Sequence, residues 1–141
     1  MNNSQNSSIE IILNGHLDEI ANLASELDRF CNDAIVSDLV KNQINLVLEE
    51  LYTNTANYGL VGISNGQVII NLLALNNQLE IRYKDNGIAF NPLEIADPDL
   101  MLSLDDRPIG GLGVFFVKAM TDNVTYSRVG GWNQLLMHKS L

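Results

Sequence analysis

Basic residues are scarce in this chain of 141 residues: eight lysines and arginines stand against seventeen aspartates and glutamates, for a formal net charge of −9. Nucleic-acid binding rests on cationic contacts to phosphates, so no direct nucleic-acid partner is expected. Cysteine is almost missing as well. Cys31 stands alone, which excludes an intrachain disulfide or a cysteine metal cluster. No apolar run approaches the roughly 20 residues that cross a bilayer, so no membrane partner is expected. Met1 to Ser8 (MNNSQNSS) has neither the basic start nor the apolar stretch of a signal peptide. Residues 1–8 read as a flexible tail, and a cytoplasmic location is the simplest expectation. Prolines number only three, and Pro92, Pro98 and Pro108 all fall in one stretch.

What is present is the mix of an ordinary soluble domain, 46% hydrophobic and 18% charged. The length suits one domain over residues 9–141. Ile9 to Leu13 reads as a strand, and Asn14-Gly15 as a turn. From His16 to about Asn32, Leu17, Ile20, Ala21, Ala24, Leu27 and Phe30 recur at helical spacing. Ser37 is a natural N-cap for a second helix reaching about Tyr58, where Gly59 can end it. Val68 to Leu75 and Leu79 to Lys84 read as strands joined by a tight hairpin at Asn76-Asn77-Gln78. Periodicity fails from 86 to 113, a stretch with all three prolines, several aspartates and Gly87, Gly110, Gly111 and Gly113. So long a structureless stretch in a small domain points to a functional lid, at about 90–112. Val114 to Met120 reads as a short helix, and strands at about Asn123 to Ser127 and Asn133 to Lys139 flank a Gly130-Gly131 turn. This order predicts an α+β two-layer sandwich, with helices on one face of a mixed, mostly antiparallel sheet.

Three places carry chemistry. In the helix segment Asn45 to Gly59 (NLVLEELYTNTANYG), Val40, Ile44, Val47, Leu51 and Tyr58 form an apolar stripe. Gln43, Glu50, Asn54 and Asn57 line up beside it as a polar stripe. A carboxylate and an amide one turn apart can share a hard cation such as Mg²⁺, although a solvated helix flank is the commoner meaning. In Leu79 to Phe90 (LEIRYKDNGIAF), Leu79, Ile81, Tyr83 and Asp85 share one strand face. The row ends in a carboxylate that needs a donor. An adenine amino group would serve, and Gly87 would let a flat base approach the backbone; a plain Asp-Asn-Gly turn is the ordinary alternative. In Arg107 to Met120 (RPIGGLGVFFVKAM), glycines at 110, 111 and 113 precede a helix whose free amides make an anion site. No GK[ST] follows, so this is not a Walker A loop. No strand precedes it, so it is not a dinucleotide fingerprint. A flexible hinge is the plain alternative.

The order and spacing of the three are more specific than any one. Glu50 and Asn54 on a helix (EELYTN), Asp85-x-Gly87-x-Ala89 after a strand, and Gly111-x-Gly113 opening a helix resemble the N, G1 and G2 boxes of the Bergerat ATPases, the superfamily of gyrase, Hsp90 and histidine kinases. Over nearly the whole chain, including the Asn133-x-Leu135 start of the last strand, it resembles the small anti-sigma-factor serine kinases of bacterial partner-switching systems.

The resemblance implies ATP and Mg²⁺ as cofactors. It implies Mg²⁺ coordination by Asn54, a general base at Glu50, adenine recognition by Asp85 with Gly87, and phosphate contacts near Gly111 and Gly113. Asn57 and Ala89 fall within the same boxes, and Arg107 is placed as a lid cation for the γ-phosphate. Glu49, the neighbouring carboxylate, points about a hundred degrees away on a helix and is expected in solvent. Two positions depart from the pattern: Tyr58 replaces a histidine, and Ala89 stands where many relatives have glycine. The implied activity is that of an ATP-dependent serine/threonine protein kinase and anti-sigma factor. Its partners would be a sigma factor and a small antagonist protein with a phosphorylatable serine, and a homodimer is compatible with the resemblance. A non-catalytic, nucleotide-dependent binding module is the alternative. A histidine-kinase catalytic domain is disfavoured, because no helical hairpin with a phosphoacceptor histidine fits before residue 37, and neither His16 nor His138 has the right context.

Overall fold

The computed structural model describes residues 6–94 and 111–141. The elements run β1 (Ser7–Leu13), a 3₁₀ turn (Leu17–Glu19), α1 (Ile20–Asp33), α2 (Asp38–Asn54) and a π turn (Thr55–Gly59). Then come β2 (Val68–Leu75), β3 (Gln78–Asp85), a 3₁₀ turn (Pro92–Glu94), α3 (Gly111–Met120), β4 (Asn123–Val129) and β5 (Trp132–Ser140). The five strands form one sheet in the order β1-β2-β3-β5-β4. Every pairing in it is antiparallel. The protein is the α+β two-layer sandwich that the sequence predicts, with a wholly antiparallel sheet among the described residues where a mixed, mostly antiparallel one is expected.

Period-two alternation builds the inner face. Ile11 and Leu13, then Val68, Ile70, Leu72 and Ala74, then Leu79, Ile81 and Tyr83, then Leu135 and Met137 are buried from successive strands. The helices close over them. From α1 come Leu23, Leu27, Phe30 and Cys31, and from α2 Ile44, Val47, Leu48, Leu51 and Tyr52. Each aliphatic side chain so buried contributes about 1.5–3 kcal/mol. Leu17 was expected on this face but is 47% exposed, because the 3₁₀ turn over 17–19 has a tighter period and carries it out of phase with α1. Tyr58, expected on the apolar stripe of the second helix, lies instead in the wider π turn beyond α2 and is exposed, and Tyr52 is the tyrosine that α2 buries.

Local chemistry sets the element ends. Glu19 Oε1 accepts the backbone N–H groups of Asn14 (2.9 Å) and His16 (3.3 Å), which fixes the entry to the first helix. That helix ends in a Schellman arrangement: Val36 N–H donates to the Cys31 carbonyl at 2.9 Å, with Ile35 at φ 57° in a position that favours glycine. Ser37 caps α2 by accepting from Val40 N–H at 3.3 Å, as its sequence position suggests. The hairpin tips Asn76-Asn77 and Gly130-Gly131 all have positive φ, the backbone of two-residue type I′ turns. Pairing with β2 carries β1 back to Ser7, so residues 7 and 8 belong to the sheet, not to a tail.

After β3 the chain crosses to the far edge through α3 and β4, then returns as β5 directly beside β3. That return sets Asp85, the last residue of β3, opposite Asn133, the second residue of β5. The candidate site is built on this pair.

Candidate functional site

A cleft of about 360 Å³ opens between the end of α2 and the ends of β3 and β5. Leu51, Asn54, Thr55 and Tyr58 form the helical wall. Tyr83, Asp85, Asn133 and Leu135 form the sheet side, and Ile88 and Phe90 stand half-exposed beside it. The helical wall is a regular helix that widens at its end. After Asn54 the chain makes a π turn, closed by Leu60 N–H on the Thr55 carbonyl at 2.9 Å. Such widened turns gather at functional sites. This one also rotates the residues beyond Asn54 out of α-helical phase, so Asn57 is exposed and is not among the cleft walls. The polar stripe expected on Gln43, Glu50, Asn54 and Asn57 therefore stops at Asn54.

Glu50 is half-buried one turn before Asn54, while Glu49 is exposed. Gly113 lies directly against both site residues. A Cβ on it would sit 2.9 Å from Asn54 Nδ2 and 3.4 Å from Glu50 Cβ. The absence of a side chain is what lets the first turn of α3 reach α2. The helix was expected from Val114, yet it begins at Gly111, so Gly111 and Gly113 lie inside its first turn. The first amides of a helix have no partner within it, and such a helix start favours an anion.

On the sheet side, Asp85 Oδ1 accepts two hydrogen bonds, from Gly87 N–H at 3.0 Å and Asn133 Nδ2 at 3.1 Å. Among the described residues no donor reaches Oδ2. Burial pushes the Asp85 carboxyl above its ordinary value of 3.8, and the hydrogen bonds from Asn133 and Gly87 and the charge of Arg128 act against that rise. Asn133 is itself buried, and its amide is fully used. Nδ2 also donates to the Ile88 carbonyl at 2.7 Å, while Oδ1 accepts from Phe90 N–H at 3.2 Å and Tyr126 Oη at 2.6 Å. Arg128 closes the other side of the loop, donating to the Gly87 carbonyl at 2.9 Å.

Gly87 has a packing reason besides the one its motif suggests. A Cβ there would collide with the Gly59 carbonyl oxygen and lie 2.9 Å from Asp85 Oδ1, so the glycine is needed to pack the loop against the π turn. Ile88 N–H completes that contact, donating to the same Gly59 oxygen at 3.2 Å. Ala89 is exposed. Arg107, Gly110 and most of the expected lid lie outside the described residues, as do residues 1–5.

The structure thus places Asn54 and Asp85 on the walls of one cleft, with Gly87 bonded to Asp85 and Gly113 packed against Asn54 and Glu50. Sequence reasoning gave no role to Asn133 beyond its resemblance, nor any to Arg128. Asn133 carries the same signal that marks Asp85, a polar residue on an inward row with Leu135 and Met137. Arg128 carries none, because its role comes from the hairpin bringing β4 to the loop. The donor set fits a nucleotide with Mg²⁺. No cluster of three or more acidic, histidine or cysteine residues occurs among the described residues. Mg²⁺ commonly needs only one or two protein oxygens beside phosphates and water, and Asn54 offers one.

Comparison with known proteins places the chain. The profile of the histidine kinase-like ATPase domain matches residues 13–139. The serine/threonine-protein kinase BtrW of Bordetella bronchiseptica is 26% identical over 94 residues, 67% of this chain and 66% of that protein. The serine-protein kinase RsbW of Listeria monocytogenes is 28% identical over 85 residues, 57% of this chain and 54% of that one. The chain thus aligns with under two thirds of either relative. A solved structure of the RsbU and RsbW domains of Rv1364c from Mycobacterium tuberculosis shares the fold, with a TM-score of 0.67 at 12% identity, over 95% of this chain and 32% of that one.

Proposed function

The chain belongs to the histidine kinase-like ATPase domain family, and from that membership we propose that it binds ATP with Mg²⁺ and acts as a serine/threonine protein kinase and anti-sigma factor. Its substrate in this reading is a serine on a small antagonist protein. The observation that carries the reading is the Asp85 carboxylate, which lines the cleft with Oδ1 held by two donors and Oδ2 without one among the described residues. Oδ2 is an acceptor on the cleft wall with no donor among the described residues; an adenine amino group supplies one, whereas the carbonyl of guanine does not. Asn54 would hold Mg²⁺, which neutralises phosphate charge when bound. Glu50 would take the proton of the attacking serine hydroxyl, the amides at Gly111 and Gly113 would face the phosphates, and Arg107 would supply a cation from the lid. The two relatives named as serine kinases support the transfer step.

One observation favours a second reading. Glu50 is not among the residues that wall the cleft, as expected of a module that binds nucleotide and partner without transfer. Thermal melting with ATP, ADP and GTP, each with and without Mg²⁺, tests the pocket first. An adenine-selective rise that Asp85→Asn abolishes is the expected result, of about 2.7 kcal/mol at a hundredfold excess over Kd. No shift with any nucleotide would overturn the ATP reading. Glu50→Gln then separates the two activities: it should keep the ATP shift and lose phosphate transfer, and full transfer would remove Glu50 from its role.

A further inference from the structure

The cleft contains one polar residue whose every hydrogen-bonding position is occupied and which touches each part of the base-recognising loop. Asn133 donates to Asp85 Oδ1 and to the Ile88 carbonyl, and accepts from Phe90 N–H and the Tyr126 hydroxyl. Its amide has one consistent orientation. Phe90 N–H can only donate, so the atom facing it must be Oδ1, and Nδ2 must then face Asp85. We propose that Asn133 is the positioning residue for base recognition, holding Asp85 by one oxygen so that the other is free for an amino group, and tying the Ile88–Phe90 backbone to the same carboxylate.

The inference rests on the ATP reading above and deepens it. Asp85 alone could rotate about its side-chain torsions and offer either oxygen, or neither, to a ligand. Gly87 N–H restrains it from its own loop, two residues away. Asn133 restrains it from a different strand, paired in register across the sheet. Asn133 is 6% exposed, so its bonds are made away from competing water. Ile88 and Phe90, whose backbones it also holds, line the cleft themselves. One side chain therefore sets both the acceptor and the apolar residues beside it. Aspartate at this position would be nearly isosteric but, when ionised, could not donate to Asp85.

Titration calorimetry of the full chain with Mg²⁺ and either ATP or purine riboside triphosphate, which lacks the 6-amino group, tests this across a pH series. Wild type should prefer ATP, and Asn133→Ala should reduce that preference at least tenfold. A variant that loses affinity for both nucleotides equally, with the preference intact, would show Asn133 to be merely structural and overturn the inference. Asn133→Asp supplies the second readout. Its carboxyl can donate to Asp85 only when protonated, so its ATP preference should rise as pH falls, opposite to wild type, which needs Asp85 ionised. The same pH trend in both proteins would also overturn the inference. Wild type that does not distinguish the two nucleotides defeats adenine recognition by Asp85, and this inference with it. That failure is separate from the others, in which wild type discriminates.

Discussion

Two polar networks lie two residues apart on β3, and they are finished differently. At Tyr83 the hydroxyl meets Thr55 Oγ1 at 2.8 Å, and the Thr55 hydroxyl donates to the Leu51 carbonyl at 2.9 Å. The Thr55 proton is used on Leu51, so Tyr83 is the donor between the two hydroxyls. The network closes on itself and ties the sheet to the π turn. At Asp85 the network reaches Gly87, Asn133, Ile88, Phe90 and Tyr126, yet no described residue satisfies the second carboxylate oxygen. Both sit in the same cleft, and both ionisable groups are pushed up by burial. The tyrosine stays a neutral donor with a partner, whereas the carboxylate keeps an acceptor in reserve. A polar network closed on itself holds a fold; one left open by a single acceptor can recognise a ligand.

The open network is the more vulnerable, because its loop tolerates no added atom at Gly87. Gly87→Ala would drive a methyl into the Gly59 carbonyl oxygen, backbone against backbone, with no flexible side chain to yield. The expected loss is about 2–3 kcal/mol, read as a lower urea midpoint, together with loss of nucleotide binding. A variant with the wild-type midpoint would mean that the loop is free to shift, and that the open network is not rigidly framed.

This contrast also marks what could be read from residues alone. The strands of the β2–β3 hairpin were legible because Val68 to Leu75 is a short apolar run, Leu79 to Asp85 alternates, and Asn76-Asn77 supplies the turn between them. The inward carboxylate of Asp85 was legible for the same reason. Asn57 was not, because the stripe assumes 3.6 residues per turn and the chain switches to a π turn immediately after Asn54. The packing reason for Gly87 was not legible, since its neighbour Gly59 is 28 residues away in sequence and only the fold makes them touch. Arg128 was silent for a similar reason: its acceptor, the Gly87 carbonyl, comes from another strand's loop. Local periodicity predicts which way a side chain faces; what it meets there depends on pairing across the sheet.

A second variant asks what the reserved acceptor costs the fold. The folded-state value of Asp85 is raised above 3.8, so the folded protein holds that proton more tightly than the unfolded chain. The associated stability is fully present below the unfolded value and is lost as pH rises through the folded one. Asp85→Asn cannot ionise and should escape that loss. In the absence of nucleotide, the melting temperature of Asp85→Asn minus that of wild type should therefore grow as pH rises from about 4 and level off above the raised value. The effect should be smaller than that of Gly87→Ala. A difference that is flat with pH would place Asp85 in water and remove burial as the cause.

The smallest effect belongs to the closed network. Tyr83→Phe keeps the ring, which is buried at 3% exposure, and removes only the donor to Thr55. Thr55 retains its own bond to Leu51, so one acceptor loses its partner and no donor is stranded. The cost should be about 1 kcal/mol, measurable as a modest fall in urea midpoint. The preference for ATP over purine riboside triphosphate should be unchanged, because Asp85 keeps both of its restraints. Residues 83 and 85 point into the cleft from the same strand face, so a shift of the strand itself would disturb both. If Tyr83→Phe altered the preference as strongly as Asn133→Ala, the two networks would be one coupled unit, and the division between a closed structural network and an open recognising one would be wrong.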